Sequence, residues 1–90
     1  MQITEYSLGP RHRGDLVEVT LQGTEANVRL VDAPNLAALK ARRQHRYYGG
    51  HFRQSPAIIT VPRDGVWFVT IDLGGYAGSV NTSVRVISRT

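Results

Sequence analysis

The chain has 90 residues, 11 Lys and Arg against 7 Asp and Glu for a net charge of +4, 41% hydrophobic residues and no Cys. A chain this short makes one domain with a modest core, and its hydrophobic content is that of a globular protein. Without Cys there is no disulfide framework, no thiolate chemistry and no Cys-ligated zinc. The start, Met1–Leu8, lacks a basic segment followed by an apolar run, and no apolar stretch approaches the ~20 residues of a membrane span. We expect a single domain over residues 1–90, cytoplasmic and without membrane association.

Ile3–Leu8 predicts a first strand with Tyr6 and Leu8 on one face, ended by Gly9-Pro10. A polar loop, Arg11–Asp15, follows. Leu16–Leu21 alternates clearly, with Val17, Val19 and Leu21 on one side and Glu18 and Thr20 on the other, as in a half-buried strand. After the turn-like Gln22–Glu25, Ala26–Asp32 sets Ala26, Val28 and Leu30 inward and Arg29 outward, which predicts a hairpin with the strand before it. Pro34–Arg43 is rich in Ala, Leu, Lys and Arg and predicts a helix of about two turns. Its Leu36 and Leu39 face the core, and Lys40, Arg42 and Arg43 fall in a last turn where the helix dipole favours cations.

Alternation over Arg46–Arg53 separates Tyr47, Gly49, His51 and Arg53 from Tyr48, Gly50 and Phe52, so that one Tyr points inward and the other outward. Ala57–Val61 is a further strand, and Pro62-Arg63-Asp64-Gly65 is a turn. Val66–Leu73 is apolar on both faces and reads as a central strand. Asp72 shares a face with Phe68 and Thr70 and is placed to hold the following loop or pair with an Arg. After the glycine loop Gly74–Ser79, Val80–Ile87 turns Val80, Thr82, Val84 and Val86 inward. Short strands separated by Gly and Pro turns predict an all-β fold. We expect an antiparallel, jelly-roll-like β-sandwich of about seven strands with one short helix inserted mid-chain.

The charge is local. Lys40–Arg53 carries five positive charges and no negative one, whereas the rest of the chain carries six and seven. Interleaved aromatics and a glycine pair make this segment the candidate site: Arg42, Arg43, Arg46, Tyr47, Tyr48, Gly49, Gly50, His51 and Arg53. Arg offers charge-assisted, bidentate hydrogen bonds to phosphate or carboxylate, and a Tyr offers a stacking surface. Arg11 and Arg13 join it if the first loop folds nearby. The partner expected is an anion: a nucleotide, a nucleic acid or an acidic protein segment. The competing reading makes the same residues a solvated helix end and a strand whose aromatics belong to the core.

His12, His45 and His51 have no metal-ligand spacing, and no metal or cofactor is expected. No Ser lies in a nucleophile motif, no carboxylate pair stands out, and the glycine loop is no dinucleotide fingerprint. A non-catalytic binding module is therefore the first reading. A protein-interaction or homo-oligomerisation domain using exposed strand edges is the second. A small hydrolase or nuclease with His45 and His51 as its acid–base pair is the third.

Four segments carry a family likeness: Arg13-Gly14-Asp15, Ala26–Asp32, His45-Arg46-Tyr47-Tyr48-Gly49-Gly50-His51 and Trp67–Gly78. Together they resemble the bacterial domain-of-unknown-function family 1883 over nearly the whole chain. The resemblance implies a small β-sandwich, found alone or attached to Toll/interleukin-1-receptor-like domains, and brings no catalytic residue with it. A weaker likeness joins Asn27–Asp32 and Gly65–Val69 to the jelly-roll domains that follow secreted bacterial peptidases, and it too implies a sandwich.

Overall fold

The alternating segments become seven strands and the Ala/Leu-rich one a helix. In the computed structural model, which describes residues 3–75 and 78–88, these are β1 Thr4–Arg11, β2 Leu16–Gln22, β3 Ala26–Asp32, α1 Ala33–Lys40, β4 Tyr48–Phe52, β5 Ala57–Thr60, β6 Gly65–Asp72 and β7 Asn81–Ile87. Tyr76 and Ala77 of the glycine loop lie outside the described residues. All pairings are antiparallel. One sheet has the order β1-β6-β3-β4 and the other β5-β2-β7, so the expected sandwich of seven strands and one short helix is what forms.

The core fills the space between the sheets. Val17, Val19 and Leu21 from β2 face Val28 and Leu30 from β3 and Trp67, Val69 and Ile71 from β6, all buried. Full burial of a side chain of this size contributes about 1.5–3 kcal/mol. β6 is central, as its two apolar faces require: it lies between β1 and β3. Its outward Thr70, together with Val31 of β3, is buried because α1 packs on the outer face of β3 and β6, bringing in buried Leu36 and Leu39. Among the described residues no helix is long and apolar enough to cross a membrane.

Three expectations need correction. β1 does not end at Gly9-Pro10 but continues to Arg11, with a bulge between Ser7 and Gly9. Gly9 takes φ +70 there, and Pro10 is tolerated because an edge strand has a side on which no N–H is needed. β2 and β3 form no hairpin: β2 pairs with β5 and β7, and β3 with β4 and β6. Alternation specifies which face is buried and leaves the pairing partner open, and here the two apolar faces meet across the core. Finally, α1 stops at Lys40, so Arg42 and Arg43 lie beyond its last turn.

The helix end explains that last difference. Arg42 has φ +57, its N–H donates to the Leu39 carbonyl at 3.1 Å, and the Arg43 N–H donates to the Ala38 carbonyl at 2.8 Å. This is a Schellman cap with Arg where Gly is usual. At the other end the Asp32 carboxylate accepts from the Asn35 N–H at 3.1 Å, as an N-cap. Replacing Arg42 by Gly relieves the left-handed backbone, and we expect Arg42→Gly to gain about 1 kcal/mol in urea unfolding. Arg42→Val, β-branched at the same φ, is expected to lose a similar amount, about 1 kcal/mol.

Candidate functional site

The basic segment is divided by the strand inside it. Arg46 precedes β4 and Arg53 follows it, so the two lie at opposite ends of the strand. At the far end Arg53 and His51 both meet Glu25, at 3.7 and 3.3 Å, and His51 also contacts Asn27 Oδ1 at 3.1 Å. Lys40 pairs with Glu5 at 2.6 Å. Among the described residues Arg42, Arg43 and Arg46 have no carboxylate within ion-pairing distance. Net charge in the segment thus concentrates on the loop between α1 and β4. His45 turns to that same loop, with Nδ1 3.0 Å from the Arg43 carbonyl.

The two tyrosines take opposite sides, Tyr48 with Leu30 and Trp67 and Tyr47 with the outward Arg29, yet both are exposed, Tyr47 by 44% and Tyr48 by 42%, so the inward side does not bury its ring. β4 starts only at Tyr48, so Tyr47 is not part of the ladder, and Tyr48, opposite the core-facing Leu30, stands at the end of an edge strand where its ring stays open to solvent. Tyr47 lies under the Arg29 guanidinium, 5.1 Å from the ring centroid. Tyr48 sets its edge against Trp67 at 6.0 Å. A Cβ on Gly49 would stand 2.3 Å from the Val28 carbonyl oxygen, so Gly49 serves a close strand–strand approach. Gly50 has open space around it.

On the outer sheet face, Asp72 behaves as its face predicted. The buried carboxylate pairs with Arg29 at 2.6 Å and accepts from Asn27 at 3.0 Å and from the Gly74 N–H at 2.8 Å. It therefore fastens the glycine loop to β3.

At the other end of the sheet the chain forms a cavity of about 310 Å³ lined by Asp32, Asn35, Arg46, Tyr48, Arg63 and Trp67. Register explains the gathering: Asp32 is opposite Trp67, and Tyr48 is opposite Leu30, two residues along β3. The turn before β6 delivers Arg63, whose guanidinium lies 4.8 Å over the Trp67 ring and pairs with Asp32. The Trp67 indole N–H donates to the Arg63 carbonyl at 3.0 Å. Asn35 Oδ1 accepts from the Arg46 N–H at 2.8 Å, fixing the loop at the rim. Burial by itself would raise the Asp32 carboxyl, but hydrogen bonds from the Asn35 side chain and backbone, with the charge and hydrogen bond of Arg63, hold it below the usual carboxylate value.

Of the nine residues expected at the site, Arg46 and Tyr48 line this cavity, and Asp32, Asn35, Arg63 and Trp67 join them. The sequence held a signal for two of these: an Asp two residues before Pro34 marks an N-cap, and Arg63 stands in the turn preceding the Trp67 strand. Arg13 lies close by, its N–H donating to Asp64 beside Arg63 at 2.8 Å, while the Arg11 side chain folds back onto the Leu8 carbonyl at 2.8 Å.

The architecture is that of a small antiparallel β-sandwich domain with an arginine- and aromatic-lined cleft at one end. A family model described as Domain of unknown function (DUF1883) matches residues 1–90, and the chain belongs to that family. No curated protein and no solved structure matches it.

Two stability predictions follow from the site's geometry. Asp72→Ala strands a partly buried guanidinium and is expected to cost about 3 kcal/mol in chemical denaturation. Because the folded Asp32 carboxyl lies below its ordinary 3.8, the stability it contributes is complete above that value and is lost as pH falls through the folded one. Asp32→Asn, which keeps an N-cap, is therefore expected to flatten the acid side of the stability–pH curve and leave its neutral part shallow in slope as before.

Proposed function

We propose that this domain is a non-catalytic binding module for an anionic partner, and that its site is centred on the cavity between Arg46 and Arg63. The observation that carries this reading is the joining of two guanidiniums with Tyr48 and Trp67 around one cavity of about 310 Å³, a size suited to a small molecule or an end group. Asp32 engages one nitrogen of the Arg63 guanidinium, which lies over Trp67, leaving other N–H donors for a ligand oxygen. Arg46 has no such partner among the described residues and supplies the second arm of a clamp on a phosphate or carboxylate. The exposed Tyr48 provides a surface for the neighbouring part of the ligand. Arg42 and Arg43, on the same loop, add attraction at longer range.

Arg46 is the residue to test, because only its backbone is tied into the fold. Titrating the protein with inorganic phosphate, nucleoside monophosphates and short single-stranded oligonucleotides, followed by the Trp67 indole N–H signal, is expected to show saturable binding. That binding should weaken as salt rises from roughly 50 to 200 mM and fall by about tenfold in Arg46→Ala, the loss of one charge-assisted contact. Binding insensitive to both changes would overturn the assignment.

A further inference from the structure

Asp32 shares the cleft with Arg46 and Arg63, and a carboxylate there repels a plain anion. Its oxygens accept from the backbone and side-chain N–H groups of Asn35 and from Arg63. An ionised carboxylate accepts at about four lone-pair sites, so a further donor has a place on it. Asn35 gives one of its two side-chain N–H groups to Asp32 and keeps the other. A ligand that suits the whole cleft therefore carries hydroxyl groups beside its negative charge.

The aromatic rings narrow the class. Tyr48 is exposed, and the ring beside it, Trp67, meets it at an interplanar angle of 74°, so Tyr48 keeps a face for stacking. Tyr47 is as exposed but already engaged, by the Arg29 guanidinium 5.1 Å from its centroid and by the His45 ring at 5.6 Å. It also stands on the outward side with Arg29, away from the cleft. The cleft thus offers one stacking ring, whereas a groove that tracks a nucleic-acid strand stacks successive bases. Arg46 and Tyr48 both line the cleft and are two residues apart, a separation of roughly 7 Å along an extended chain. That interval leaves room for a sugar between a phosphate on the arginines and a base on the tyrosine.

We propose, resting on the anion-binding reading above, that the cleft takes a single nucleotide unit. Its phosphate lies between Arg46 and Arg63, its sugar hydroxyls meet Asp32 and Asn35, and its base stacks on the open face of Tyr48. A cavity of about 310 Å³ is at the small end of ligand pockets and suits one such unit. A free nucleoside monophosphate and the phosphorylated end of a strand share this chemistry. An acidic side chain carries neither the ring nor the hydroxyls, and would leave Tyr48 and Asp32 without partners.

Calorimetric titration of the full chain with nucleoside monophosphates, ribose phosphate, inorganic phosphate and an acidic peptide tests this. We expect a nucleoside monophosphate to bind about tenfold more tightly than ribose phosphate, the contribution of one stacked base, and ribose phosphate to bind more tightly than inorganic phosphate. Tyr48→Ala should bring the first ratio to about one, and Tyr48→Phe, which keeps the ring, should restore it. A terminally phosphorylated oligonucleotide that binds as tightly as the monophosphate identifies a strand end as the source of the unit, and one that binds about tenfold more weakly identifies the free nucleotide. Ribose phosphate binding as tightly as the monophosphate, or a ratio that survives Tyr48→Ala, would overturn the inference and leave the anion site standing. Tighter binding of the acidic peptide would overturn it as well. If none of the phosphate compounds binds, both the inference and the anion reading fail.

Discussion

The burial of Trp67 is the constraint around which the molecule is arranged. Its indole is the largest fully buried side chain, and a ring of this size must find both apolar cover and a partner for its N–H. Apolar cover comes from the inner faces of both sheets. The N–H partner is the Arg63 carbonyl, which fixes the turn ahead of β6. That turn then lays the Arg63 guanidinium over the ring, and Arg63 in turn reaches the Asp32 cap of α1. Tyr48 rests its edge on the same indole. The cleft is therefore a surface consequence of how one core residue is satisfied, and its shape inherits the rigidity of the central strand.

Charge placement follows the same geometry. A segment that reads as uniformly basic becomes two unlike regions once a strand runs through its middle. Five residues of β4, rising roughly 3.3 Å each, keep Arg53 and Arg46 well apart. Glu25 meets Arg53 and His51 at one end, whereas the loop before β4 keeps its arginines free of carboxylates among the described residues. Arg63, distant in sequence from that loop, arrives beside Arg46 because antiparallel pairing brings the start of β6 to the end of β3.

The two sheets are not equivalent. The outer face of β3 and β6 carries Val31, Phe68 and Thr70, which need cover, and α1 supplies it with Leu36 and Leu39. The outer face of β2 and β7 carries Glu18, Thr20, Ser83 and Arg85, which solvent satisfies, with Leu16 and Ile87 at its margin. The helix thereby covers part of the outer face of one sheet, while the outer face of the other stays solvated.

Much of this was legible in the sequence, for local reasons. Period-two alternation gave the bounds of β3 to the residue, the inward faces of β2 and β7, and the central position of β6 through its two apolar faces. Leu36 and Leu39 marked the buried side of α1, and the face of Asp72 announced that it would bind the next loop or an arginine. Periodicity could not say which strands pair, because an apolar face is equally well buried by a neighbour in the same sheet or by one across the core, and β2 and β3 took the second course. Nor could it foresee that Tyr48 would begin an edge strand, where its core-facing side still leaves the ring in solvent, or that Arg42 would turn left-handed and end the helix. Sequence alone thus determined a basic, aromatic segment on an all-β sandwich. Only strand pairing, which acts between residues far apart along the chain, decided that Arg46 would share a cleft with Asp32, Arg63 and Trp67 and that Arg53 would not.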